Sequence, residues 1–352
     1  MELNNFRNPK LINKIVNKLQ EWEKPVKFME VCGSHTMAIG HWGIRKLLPE
    51  SISLISGPGC PVCVTPSSVI DSLIDLKDVT IATFGDLIRV PGNKGTLEQA
   101  RAKGLDVRMV YSPMEALDMA QEKETVFVGI GFETTIPGIA YTIIEASRQN
   151  LKNFSVLPAF KLVPPALDAL LFAKDTNVDG FILPGHVSVI IGSDAYNLLP
   201  EKFDIGGVVT GFEPLDILVG IKKLIQQIKL QKPKIENEYS RVVSDKGNLE
   251  AQKTINEVLK VENALWRGLG WIPKSGLGIK NKFREFDAIK KYGIEITDTE
   301  EQTGCRCGDV LKGKIIPSEC QLFEKVCKPN YPIGPCMVSS EGSCAAYYKY
   351  ER

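Results

Sequence analysis

A chain of 352 residues is long enough for two or three domains with cores of their own, and 43% hydrophobic with 24% charged residues excludes a disordered or fibrous chain. The 43 basic residues against 42 acidic ones leave a formal net charge of +1, and no Lys/Arg block interrupts this balance. A charge field for nucleic acid or an anionic membrane is therefore excluded, and a small molecule or another protein is the expected partner.

Pro9 to Glu23 place Leu11, Ile12, Ile15, Val16, Leu19 and Trp22 on one helical face. Val26 to Val31 reads as a strand, with Cys32-Gly33-Ser34-His35-Thr36 at its carboxyl end and a helix expected through Ile44 to Leu48. Ile52 to Ile55 reads as a short buried strand, and Ser67 to Leu76 as a helix. Between them lies Gly57-Pro58-Gly59-Cys60-Pro61-Val62-Cys63-Val64-Thr65-Pro66, with Thr65 expected as N-cap and Pro66 as the first helical residue. A helix N-terminus at this loop favours thiolate at Cys60 and Cys63, which suits redox or soft-metal chemistry. A lone C-x-x-C is also half of a structural zinc site, and these residues leave both readings open.

The pattern repeats with strands at Val79 to Phe84 and Asp106 to Val110, a helix from about Thr96, and another opened by Ser112-Pro113-Met114-Glu115 in the form of a capping box. A second series begins at Thr125, with strand Val126 to Ile130 ending in Gly131-Phe132-Glu133-Thr134-Thr135 and a helix from Pro137. Strands near Ser155 to Pro158, Gly180 to Leu183 and Gly207 to Thr210 alternate with helices around Pro165 to Ala173 and Pro214 to Leu230. The strand near Gly180 ends in Pro184-Gly185-His186-Val187-Ser188. The expected fold class is α/β: two doubly wound parallel-sheet domains, 1–122 and 123–232, around a cleft, with a small Cys-rich iron–sulfur domain at 233–352. Asn248 to Trp266 has a helical pattern, and Gly268, Gly270, Pro273, Gly276 and Gly278 are expected to break regular structure. In open parallel sheets ligands bind beyond the carboxyl ends of the strands, where each of these polar motifs falls.

No run reaches the roughly 18 apolar residues of a membrane span, and Met1 to Arg7 lack the apolar core of a signal peptide, so a cytoplasmic protein is expected. In that compartment nine cysteines point to metal or redox chemistry rather than a disulfide framework. None lies between Val64 and Gly304, whereas six lie between Cys305 and Cys344, spaced C-x-C and then by 12, 6, 8 and 7 residues. Without two C-x-x-C knuckles, a cubane iron–sulfur cluster is preferred over zinc. The simplest division makes Cys305, Cys320, Cys327 and Cys344 ligands and leaves Cys307 and Cys336 as a thiol pair. Among the three histidines, His35 and His186 stand in strand-terminal loops and are functional candidates, while His41 beside Trp42 is structural. Glu133 either caps a helix or acts in a site. A surface ion pair explains Asp86 and Arg89 equally well.

These five blocks, in this order from about Lys27 to Tyr347, closely resemble the HypD family of hydrogenase maturation factors. The resemblance implies a scaffold for the Fe(CN)2CO group of [NiFe] hydrogenases, rather than a turnover enzyme. It implies a stable complex with a HypC-type chaperone, transient delivery of cyanide by a HypE-type protein, and a monomer when alone. It matches Cys32 to the iron anchor, with His35 beside it, Cys60 and Cys63 to a redox pair, and the tail to a [4Fe-4S] domain with a neighbouring disulfide. A stand-alone iron–sulfur disulfide reductase and a binding module with a zinc tail are the competing readings.

Overall fold

The computed structural model describes residues 3–174, 176–298 and 304–351. Its strands are β1 (Val26–Glu30), β2 (Ile52–Ser56), β3 (Thr80–Thr83), β4 (Asp106–Met109), β5 (Thr125–Gly131), β6 (Phe154–Phe160), β7 (Gly180–Pro184), β8 (Gly206–Thr210), β9 (Ile235–Asn237), β10 (Leu259–Trp266) and β11 (Gly270–Ile279). One five-stranded sheet has the order β2-β1-β7-β8-β9, and a four-stranded sheet the order β4-β3-β5-β6. Every pairing within both is parallel. Helices cover both faces of such sheets, and β5 and β7 are accordingly buried along their whole lengths. Alternate residues serve opposite layers: Phe28, Leu54, Ile182 and Val208 pack with the helix Pro214–Leu230, while Met29, Ile55, Phe181 and Val209 face the cluster that holds Cys60 and Cys63.

The expected parallel α/β architecture is present, but the sheets do not follow the sequential division at 122. The chain lays down β1 and β2, crosses to build the whole second sheet from β3 to β6, and returns to place β7 beside β1, with Phe28 opposite Gly180. Periodicity marks a strand but not its neighbour, so this interleaving has no local signal.

The segment from 249 onward also differs from expectation. A helix runs over Leu249–Val258, but Leu259 to Trp266 form β10, and the glycine-rich stretch pairs with it as antiparallel β11. Gly276 gives this pairing room, since a Cβ there would come within 2.6 Å of the Ala264 Cβ. Ile255, Val258, Leu277, Ile279, Phe283 and Phe286 then join Phe127 and Phe154 in the core of the second sheet. The Cys-rich segment is therefore shorter than 233–352, because β9 belongs to the first sheet and 249–292 pack on the second.

From residue 304 the chain carries short helices Cys307–Leu311, Pro335–Val338 and Ser343–Tyr350. The last of these lies on the helix Gly33–His41, where Gly40 leaves only 3.0 Å between a notional Cβ and Tyr350. Arg45 fixes the end of the chain by pairing with Glu351 at 2.5 Å and lying over the Tyr347 ring at 4.7 Å. Asp86, at the end of the second sheet, accepts hydrogen bonds from Ser339 Oγ, Ser340 N–H and Ser340 Oγ. Asp86 thus ties the tail to that sheet, a role that neither the site reading nor the ion-pair reading of Asp86 and Arg89 included.

Candidate functional site

Two loops at the carboxyl end of the first sheet meet backbone to backbone. Gly33 N–H donates to Gly59 O at 2.8 Å, and Gly57 N–H to Glu30 O at 2.7 Å. A Cβ on Gly59 would lie 2.2 Å from Cys32 N, so only glycine allows this approach. In the loop itself Cys60 and Cys63 are joined as a disulfide with a Cα separation of 5.2 Å, and both are buried. Thr65 does not cap the following helix: its hydroxyl donates to Pro61 O at 2.8 Å, closing the turn around the disulfide. Pro66 takes the cap position instead, and the helix runs over Ser67–Asp75.

Cys32 caps the helix Gly33–His41 and is 8% exposed. A helix start by itself favours thiolate, but here burial has the larger effect. Burial pushes the thiol up to about 12, with Glu341 adding to the effect, although the backbone N–H groups of His35 and Ser34 oppose it. Below it, Glu30 accepts from Thr36 Oγ1 at 2.6 Å and Cys32 N–H at 3.4 Å, and burial raises its carboxyl to about 7. Glu341 and Glu30 both add to the cost of ionising the Cys32 thiol, so the free chain holds it neutral.

The His35 imidazole points away from the thiol. Its Nε2 lies 3.0 Å from Gly211 O and 2.9 Å from Thr210 Oγ1, at the carboxyl end of β8. A carbonyl only accepts, so Nε2 carries the proton and Nδ1, buried without a hydrogen-bond partner among the described residues, does not. Burial lowers this histidine to about 4, which keeps it neutral. Phe212 lies between two imidazoles, 4.6 Å from the His35 centroid and 4.1 Å from that of the exposed His186. Glu341 completes the rim by accepting from Ser34 Oγ at 2.7 Å and occupying the space that a side chain at Gly33 would need. His41, by contrast, is exposed and packs edge-on to Trp42 and Tyr350.

Glu133 serves a different helix from the one that follows it. Its Oε1 accepts from Val163 N–H at 2.9 Å, the first residue of the helix Val163–Phe172, while Oε2 is buried without a hydrogen-bond partner among the described residues. Burial raises its carboxyl to about 7, and the same cause lifts Tyr196 well above its ordinary value.

In the tail, Cys305, Cys320, Cys327 and Cys344 line one cavity together with Cys307 and Cys336. The last two are joined as a disulfide, with Cα atoms 6.5 Å apart. Burial and the neighbouring Cys327, Cys305 and Cys320 push the Cys344 thiol well above its usual range, so four sulfurs share one small space. Cys327 Sγ accepts from Ile333 N–H at 3.3 Å, and a Cβ at Gly334 would come within 2.6 Å of Cys305 Sγ. Among the described residues no three His, Cys, Asp or Glu side chains are gathered as ligands of one ion. Four cysteines outside the disulfides around one cavity, with a backbone donor aimed at one sulfur, fit a [4Fe-4S] cluster by donor chemistry.

Three residues of this region carried no weight in the sequence. Phe212 could have been found by the strand-end rule that singled out Cys32, since Gly211-Phe212-Glu213 directly follows β8. Glu30 is a charged residue inside a buried strand, a pattern that signals function. Glu341 had no such signal, because it reaches Cys32 only through the folded tail.

The family model described as "HypD: Hydrogenase formation hypA family" matches residues 8–351. The chain is 44% identical to the hydrogenase maturation factor HypD of Escherichia coli (strain K12), over 99% of this chain and 97% of that one. It is 45% identical to HypD of Rhodobacter capsulatus, over 93% and 90% of the two chains. A putative hydrogenase expression/formation protein of Methanocaldococcus jannaschii is 43% identical, over 97% of each. With so complete a match running through every loop from Cys32 to Cys344, the chain belongs to the HypD family of hydrogenase maturation factors.

Proposed function

We propose that this protein is the scaffold on which the Fe(CN)2CO group of [NiFe] hydrogenases is assembled, with iron as the cargo and Cys32 as its anchor. The observation that carries this reading is the contact of the Cys32 loop with the Cys60–Cys63 loop at Gly59, which brings the Cys32 loop against the loop of a disulfide. Family membership supports it. Cys32 must lose its proton to hold iron; the N–H groups of Ser34 and His35 favour the thiolate, and the charge of the arriving cation supplies the rest. His35 stays neutral and holds the helix start against β8, so it does not compete for the positions that cyanide and carbonyl require. His186 and Glu341 stand at the rim, where they can hold or pass protons as ligands arrive.

A HypC-type chaperone would share the iron through a cysteine of its own, and a HypE-type protein would deliver cyanide in a transient complex. Cys305, Cys320, Cys327 and Cys344 would hold the [4Fe-4S] cluster, which supplies one-electron transfer when bound. Cys60–Cys63 and Cys307–Cys336 are assigned as thiol redox pairs, each taking up two electrons and two protons on opening. The reducing cytoplasm suits this chemistry.

Cys32→Ala co-expressed with its HypC-type partner tests the anchor. Infrared spectra of the isolated complex should lose the cyanide and carbonyl stretches while broad absorption near 400 nm from the tail remains. Unchanged stretches would refute it. The buried Cys60–Cys63 disulfide favours, as a second reading, a stand-alone iron–sulfur disulfide reductase. That protein would show no such stretches in the wild type.

A further inference from the structure

Lys161 is a charged residue for which the assembly reading has no use. It directly follows β6, where its N–H donates to Gly131 O at 3.0 Å, and it is 4% exposed. Among the described residues no hydrogen bond or ion pair reaches its amine, and burial alone draws it down to about 7. An unpaired buried amine is costly, and the same volume of hydrocarbon would be more stable. Such a group is tolerated where something else pairs with it.

The surroundings say what. Lys161 lines an open-mouthed cavity of about 230 Å3, smaller than a drug-sized site but with room for a short-chain molecule. Pro66, Val69, Phe160, Leu265, Trp271 and Ile296 contribute apolar walls, and Trp271 is 57% exposed. Among the described residues, two other polar side chains line it. Glu262 is paired with Lys260 at 2.7 Å, so its charge is already met. Asn263 accepts from Lys274 N–H through Oδ1, which leaves its amide nitrogen as a donor. The cavity sits at the carboxyl end of a parallel strand, the position that binds ligands in such sheets. One cation and one neutral donor within hydrocarbon walls match an anionic head on an apolar body.

We propose that this cavity binds a small monocarboxylic acid, its carboxylate paired with Lys161 Nζ and its hydrocarbon chain lying on Trp271, Leu265 and Ile296. The site is independent of the iron anchor. It is nevertheless close in sequence to the redox pair, since Pro66 and Val69 stand three and six residues after Cys63.

Calorimetric titration of the full chain with hexanoate tests the proposal. One saturable site is expected, weakened about tenfold or more in Lys161→Met, with 1-hexanol binding at least about tenfold more weakly than hexanoate to the wild type. Absence of saturable hexanoate binding, equal affinity for 1-hexanol, or unchanged affinity in Lys161→Met would each overturn it. Should Lys161→Met fail to fold, the rate of Lys161 acylation in the wild type, read by peptide mass mapping, serves instead. Hexanoate should slow that acylation and 1-hexanol should not; an unchanged rate with hexanoate refutes the site.

Discussion

Gly59 and Glu133 show how single residues set the chemistry of this molecule. A methyl group at Gly59 would meet Cys32 N at 2.2 Å, Val31 C at 2.5 Å and Cys32 Cα at 2.6 Å, all of them backbone atoms that cannot swing aside. Gly59→Ala should therefore destabilise the protein by roughly 1–3 kcal/mol and open the Cys32 loop. Thermal unfolding and the rate of Cys32 alkylation measure the two effects, and a variant with wild-type values of both would show that the contact is dispensable. Glu133 has its carboxyl raised from 4.5 to about 7 by burial, so the folded chain favours the protonated acid. Its contribution to stability is complete below about pH 4.5 and is lost as the pH rises through 7. Glu133→Gln keeps the acceptor for Val163 N–H and removes the charge. Relative to the wild type, it should gain up to about 3 kcal/mol between pH 4 and pH 8, read from denaturant unfolding at the two pH values.

At the scale of elements, the strand and helix signals were strongest where side-chain chemistry and backbone geometry agree. Thr96 and Gln99 form a reciprocal capping box, each side chain accepting from the other's N–H at 3.1 Å. At Ser112 neither bond of the box forms: Ser112 Oγ accepts from Met114 N–H, one residue short of the box, while Glu115 turns to Tyr111 N–H. The tail helices are too short to persist alone and depend on what they dock against. Asp86 is a main part of that docking through its three bonds from Ser339 and Ser340. Loss of hydrogen bonds to a charged acceptor costs about 1.5–3 kcal/mol, so Asp86→Ala should speed amide exchange in residues 335–346 about tenfold or more. Exchange unchanged in that segment would show that Arg45 and Glu351 hold the tail without it.

At the scale of the molecule, the Cys-rich tail matters because it joins regions distant in sequence. Glu341 reaches Ser34 across 307 positions, and Ser339 reaches Asp86 across 253. The tail's six cysteines line one cavity although they are spread from Cys305 to Cys344. Iron bound per anaerobically reconstituted chain should fall sharply on replacing Cys305, Cys320, Cys327 or Cys344 by Ser, and persist in Cys307→Ser and Cys336→Ser. Loss in both of the latter, with retention in one of the four, would sink the division.

The strands, their parallel class and the loops that carry Cys32, Cys60, Cys63, Glu133 and His186 were legible because each is a local matter: an apolar run of strand length, ended by glycine and followed by a helix signal. Strand neighbours were not, since β1 beside β7 depends on a pairing more than 150 residues apart that no window of sequence contains. The β10 strand was misread as helix for a related reason, as its β-pairing with the glycine-rich β11 outweighs its own apolar pattern. Charge states lay still further from view. Cys32 stands at a helix start, which favours thiolate, but only the folded chain buries it and brings Glu341 near, and there desolvation outweighs the helix. Lys161 is likewise an ordinary lysine in the sequence, and it is the packing of β6, β10 and β11 that strips its water and leaves it facing a cavity.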